Sequence, residues 1–137
     1  MRKQCLSIEQ MQHLKELGVD TSKATFGLFP EQIDVTDDGF PIYAEEQCAI
    51  YERNDESDFN YPTFTLQDIL DLLPKEVMPH TVPYSLFIDY QEMRIAYCFV
   101  DREGMCWLEP TFSIENSLID AAYEMLCWVI ENGYLEV

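Results

Sequence analysis

The sequence predicts an α+β fold: a three- or four-stranded antiparallel meander packed by a C-terminal helix, with two further short helices. Three observations predict it. Three apolar runs, 84–90, 93–100 and 105–108, are joined by short polar breaks, the pattern of a meander. The run 118–130 is apolar with helical periodicity. Two shorter helical patterns each begin with a capping residue, at Ser7 and Thr65.

The first helix is expected over 8–17. Ser7 caps it and Gln10 stands three positions on, as a capping box requires. Leu6 and Met11 occupy the two positions of a hydrophobic staple. Ile8, Met11, Leu14 and Leu17 form the apolar stripe, and Gly18 offers the left-handed stop from which Val19 folds back on Leu14.

Thr25-Phe26-Gly27-Leu28-Phe29 predicts an extended piece that stops at Pro30. Asp37-Asp38-Gly39 is a turn signal, with 33–35 and 42–44 as the arms of a hairpin. The residues 47–51 fit helix and strand alike, and 53–58 predict a polar loop.

The second helix repeats the logic of the first. Thr65 caps, Asp68 takes the third position, and Phe64 with Ile69 makes the staple. Leu66, Ile69, Leu70 and Leu73 follow its apolar stripe, and Pro74 ends it because a proline excludes helical geometry in the residue before. Pro79 and Pro83 mark an extended connection to the meander, whose first turn is Gln91-Glu92 and second Asp101-Arg102-Glu103-Gly104. In the middle strand, Arg94, Ala96, Cys98 and Val100 alternate with Met93, Ile95, Tyr97 and Phe99, so both faces are expected to be at least partly covered. The last helix starts at Asn116 or Ser117 and stops at Gly133, with Asp120, Glu124 and Glu131 on its wet side.

The 137 residues fit a single domain spanning 1–137. Acidic residues number 26 against 8 basic ones, a net charge of −18. Phosphate affinity comes from clustered Lys and Arg, so direct nucleic-acid binding is excluded, as is adhesion to anionic lipid. An apolar share of 47% keeps so charged a chain out of the disordered class. Met1-Arg2-Lys3 leads into a polar helical pattern, so no signal peptide is expected. Asp120 and Glu124 break the longest apolar stretch, which is shorter than the about 20 residues a bilayer needs. Five scattered cysteines, Cys5, Cys48, Cys98, Cys106 and Cys127, with no CxxC pair, fit reduced thiols in a cytoplasmic protein.

Three blocks carry a resemblance: 6–11 through 17–22 (LSIEQM…LGVDTS), 62–70 (PTFTLQDIL) and 118–128 (LIDAAYEMLCW). In them the chain resembles small uncharacterised proteins of gut Bacteroides genomes and prophage-like elements. That family has no established activity, so the resemblance implies a bacterial, mobile-element setting and no site.

The best motif is a near miss to a calcium loop. Over 34–45, Asp34, Asp38, Gly39 and Glu45 fall on positions 1, 5, 6 and 12 of an EF-hand. Thr36 is a poor third ligand, Pro41 replaces a needed N–H, and Gly27 and Pro30 spoil the entering helix. A hairpin turn explains the same residues. Glu45-Glu46 and Asp55-Glu56-Asp58 are adjacent carboxylates on loops, where pKa values stay ordinary and acid–base catalysis finds no tuned pair. His13 falls on the polar side of the first helix and His80 in a proline-bounded loop. No phosphate loop, HExxH or GxSxG occurs, and no cofactor is expected.

Aromatic residues enrich interfaces, and Phe26, Phe29, Phe40 and Tyr43 lie in the least regular segment, so they are the interface candidates. The reading that follows is a small acidic interaction or regulatory protein that binds a basic protein partner. Three alternatives stand beside it: a nucleic-acid mimic that blocks a DNA-binding protein, the calcium loop at 34–45, and an enzyme of unrecognised type.

Overall fold

Helix α1 (Ile8–Glu16) starts as its sequence dictates: the Ser7 hydroxyl accepts the Gln10 N–H, and the Gln10 side chain accepts the Ser7 N–H. At its other end the Val19 N–H reaches the Leu14 carbonyl and the Gly18 N–H the Lys15 carbonyl, both at 3.0 Å, with Gly18 at a φ of +99°. This pair of bonds closes the helix only around a residue that tolerates left-handed backbone, hence glycine. The computed structural model describes residues 3–52 and 61–137, and for 29–33 and 43–52 only the course of the backbone. The polar loop expected at 53–58 lies outside the described residues.

A single 3-10 turn (Thr21–Lys23), capped by Asp20, leads into strand β1 (Phe26–Val35). β1 and β2 (Pro41–Glu52) form a hairpin much longer than the expected arms, and the segment left open at 47–51 is strand. Pro30 does not stop β1. The register shifts between Pro30 and Glu31, and this bulge lets the ladder pass a residue that has no N–H to give. Short β3 (Tyr61–Thr63) pairs with the start of β1, giving the order β2-β1-β3.

Thr63 ties this sheet to the first helix. Its side chain is fully buried and donates to the Leu6 carbonyl at 2.6 Å, while the Leu6 N–H donates to the Phe64 carbonyl at 3.0 Å. Thr63→Val keeps the volume and strands the Leu6 carbonyl. Urea unfolding should show a loss of about 1–3 kcal/mol, the penalty for an orphaned buried acceptor.

Helix α2 (Leu66–Leu72) carries the expected Thr65–Asp68 capping box. Both of its staple residues are buried, and so is Met11 of the first staple. The chain then adds β4 (Glu76–Val77), β5 (Tyr84–Asp89), β6 (Arg94–Asp101) and β7 (Gly104–Ser113) in the antiparallel order β4-β5-β6-β7. The β5–β6 turn is wider than Gln91-Glu92, because the Asp89 carboxylate accepts the N–H groups of both residues and draws Tyr90 and Met93 into the turn.

Helix α3 (Leu118–Glu131), capped by Ser117, packs on β6, β7 and α2. Ile119, Met125, Leu126 and Val129 are its large buried side chains, and at about 1.5–3 kcal/mol each they contribute roughly 6–12 kcal/mol of gross burial. They share one core with Leu6, Met11 and Leu14 of the N-terminal segment, Phe64, Ile69 and Leu73 around α2, and Ile95 and Tyr97 of β6. The Tyr97 hydroxyl donates to the Pro74 carbonyl at 2.7 Å, fastening the sheet to the end of α2, and burial pushes its phenol pKa up. No described helix is long and apolar enough to cross a membrane.

Asp120 keeps to the wet side of α3, its side chain 41% exposed, but it is not left to solvent alone. Its Oδ1 accepts from Lys3 Nζ at 2.7 Å and from Gln10 Nε2 at 2.9 Å, joining the N-terminus, α1 and α3. Burial raises its pKa, but the bonds from Lys3, Gln10 and Ser117 outweigh burial and hold the carboxyl below its ordinary range. A lowered carboxyl pKa adds stability above the unfolded-state pKa and loses it as pH falls through the folded one. The stability gap between wild type and Asp120→Asn should therefore be constant near neutrality and shrink below about pH 4. Both side chains are over a third exposed, so the gap should be only about 0.2–1 kcal/mol, read from urea midpoints against pH.

Candidate interaction surface

The meander has two unlike faces. In β5, Tyr84, Leu86 and Ile88 pack against the core, which leaves Ser85, Phe87 and Asp89 outward by strand alternation. In β6, Ile95 and Tyr97 belong to the core, so Arg94, Ala96, Cys98 and Val100 point out. In β7 the register sets Trp107 opposite Cys98 and Met105 opposite Val100, on that same outer face.

This outer face is apolar and open. Phe87 is 42% exposed, Val100 63% and Met105 44%. Ala96 and Cys98 are nonetheless buried. Phe87 stands directly across from Ala96, and Trp107 across from Cys98, so the large neighbours roof the small ones within the sheet. The coverage expected on both faces of this strand thus comes on one side from α3 and on the other from in-plane neighbours. The Phe87 and Trp107 rings meet edge to face at 6.0 Å.

Arg94 lies over the indole of this pair, its guanidinium carbon 3.8 Å from the centre of the Trp107 ring. Asp89 faces Arg94 in the ladder, but its Oδ1 is committed to the turn N–H groups. Among the described residues Arg94 makes no ion pair, and its Nε is buried without a hydrogen-bond partner. A guanidinium stacked on indole, with Phe and Met beside it, is the side-chain set enriched at interface centres. Carboxylates lie at both ends of the face: Asp89 and Glu92 at one turn, Asp101 and Glu103 at the other.

The residues singled out in the sequence lie elsewhere, on the β1–β2 hairpin. Phe40 stands at the hairpin tip, 67% exposed, beside exposed Val35 and Ile42. Phe26 is half-buried at the far end of β1, nine residues from Val35 and hence roughly 30 Å along the strand. Phe29 and Tyr43 lie on β1 and β2, opposite Ala49 and Gln32, and their side chains are outside the described set. The hairpin therefore does not gather the four into one patch.

The calcium-loop residues follow the same ladder. Asp34 pairs with Ile42 in β1–β2 and accepts its neighbour's N–H (Val35) at 2.7 Å. Asp38 is exposed in a tight turn closed by the Gly39 N–H on the Thr36 carbonyl. Glu45 is in β2, three residues beyond Ile42 and so roughly 10 Å along the strands from Asp34. Among the described residues no group of three His, Cys, Asp or Glu could hold a metal ion.

Among the described residues the histidines and thiols form no three-membered cluster. His13 is half-buried, its ring 6.4 Å from that of Tyr123, rather than on an open polar face. His80 is exposed in the connection between β4 and β5. Burial pushes the Cys98 and Cys127 thiols up, which keeps both protonated at neutral pH and poor as nucleophiles. Cys98, Cys106 and Cys127 are free of disulfides.

The outer-face set escaped the sequence reading because Arg94, Ala96, Cys98 and Val100 resemble a buried strand face. Its signal was the pairing of that strand with Phe87 and Trp107, which only the register reveals. No family model, curated protein or solved structure matches the chain.

Proposed function

We propose that this chain is a binding protein that docks a basic protein partner on the outer face of the β4–β7 sheet. The observation that carries the reading is the Phe87–Trp107–Arg94 cluster, with Phe87 exposed and Trp107 and Arg94 half-buried, an aromatic centre with carboxylates at both ends. Desolvated Trp and Arg at the middle of a patch supply most of the energy of typical interfaces. The acidic ends and a net charge of −18 supply selection and steering towards positive surfaces. The chain works in the cytoplasm of a bacterium, in the mobile-element setting its sequence resemblance implies. The free thiols are in keeping with a reducing compartment.

The test is capture from cells that carry the chain, with wild-type and Trp107→Ala proteins immobilised side by side. The reading requires a captured protein that is basic, is released by salt, and is lost on the Trp107→Ala surface. A partner retained equally by both surfaces overturns it.

A further inference from the structure

β7 is an edge. In the order β4-β5-β6-β7 it has β6 on one side and no described strand on the other. The opposite edge, β4, is two residues long, whereas β7 has ten. In an antiparallel ladder every second residue turns its N–H and C=O away from its neighbour. Among the described residues, none from 104 to 110 makes a backbone hydrogen bond outside the β6 ladder. Gly104, Met105 and Cys106 are exposed.

Open edges of this length recruit further strands, and proteins blunt them with proline, lysine or a bulge. Here the protection is uneven. The second half of β7 carries Pro110, and the β6 register shifts across from it. The first half, Gly104-Met105-Cys106-Trp107-Leu108, has no proline and no charge. Its flanks are net acidic, with Asp101 and Glu103 on either side of Arg102 before it and Glu109 after it. A second copy would bring another −18 charge to the same edge, whereas a basic strand meets opposite charge.

We infer that the free edge at 104–108 takes up an extended segment of the basic partner by strand addition, its backbone pairing with β7. The inference rests on the reading of the outer face given above and specifies how the partner engages it. Alternate side chains of the added strand fall on the side of Met105 and Trp107, where apolar residues extend the outer face. The intervening ones fall on the side of Cys106 and Leu108, where exposed Cys106 leaves room for Lys or Arg to reach solvent past the half-buried Leu108.

The probe is an eight-residue peptide alternating valine and lysine, titrated into the full chain. Backbone pairing should slow amide exchange within 104–108 roughly tenfold at saturation. Two further peptides carry N-methyl groups on every second residue, in the two possible phases. Methyl groups in the phase facing β7 remove donors, so one phase should bind at least about tenfold more weakly than the other. Equal affinity of both phases, or unprotected β7 amides at saturation, overturns strand addition and leaves the partner held by charge and side chains alone. Protection of 104–108 that rises with protein concentration in the absence of peptide also overturns it, in favour of self-pairing. These readouts do not involve captured partners, so a failure here is separate from a failure of the Trp107→Ala capture experiment.

Discussion

Leu126→Ala is expected to lower the unfolding free energy by about 2–5 kcal/mol. Leu126 is fully buried at the centre of α3, between Met125 and Val129, where the helix meets β6 and α2. Truncation removes three carbons from a site whose neighbours are held by both a sheet and a second helix, so the void cannot collapse and the cost belongs in the upper part of that range. Small domains have only about 5–15 kcal/mol in all. This one also carries the self-repulsion of 26 acidic residues against 8 basic ones, which salt relieves. At low ionic strength the variant should therefore have a large unfolded fraction, and added salt should restore much of it. The control is Val100→Ala on the open sheet face, which should move the urea midpoint by no more than about 0.5 kcal/mol. If the two midpoints coincide at an unchanged urea dependence, α3 is not the element that holds the fold together.

The helices were legible in the sequence because their ends are local chemistry. Ser7 with Gln10, Thr65 with Asp68, and the left-handed glycines at 18 and 133 act within five residues of chain, and each does what its position implies. The meander was legible for a related reason, since its strands are apolar runs and the breaks between them are short and polar. Strand length was less so. Pro30 reads as a stop and the third run as ending at Leu108, yet β1 runs through Pro30 and β7 through Pro110, where register shifts accommodate the missing donors. Short β3 and β4 left no periodic trace, because two or three residues cannot show a period; their partners decide them.

Side-chain partnership across the chain was not legible at all. Asp120 reads as a solvated helix residue, and only the fold brings Lys3 to it across 117 positions. The outer-face cluster went unread for the same reason. The sequence pointed to aromatics grouped along the chain, Phe26 to Tyr43, which a hairpin then strings out. The aromatics that meet, Phe87 and Trp107, are separated by a strand and two turns, and register alone joins them.

Trp107→Ala should weaken binding of the proposed basic partner by about 2 kcal/mol or more, roughly thirtyfold in Kd. The ring is only half-buried in the free protein, so it has apolar area still to lose to a partner, and its face already carries the Arg94 guanidinium. Removing it does two things at once: it deletes a contact and frees Arg94 to move. A double-mutant cycle with Arg94→Ala separates them. If Arg94 contributes through its place on the indole, the two losses will be strongly non-additive, and Arg94→Ala in the Trp107→Ala background will cost little. If Arg94 pairs directly with the partner, the losses will add. Phe87→Ala should fall between, since Phe87 borders the indole without contacting the guanidinium in the same way. None of the three should flatten the salt dependence of association, because the acidic ends proposed to steer the encounter are untouched. The fold should survive each change, as all three side chains stand on the outer face and lie outside the core beneath α3. A Trp107→Ala protein with an intact urea midpoint and an unchanged Kd would therefore place the binding surface somewhere other than this sheet.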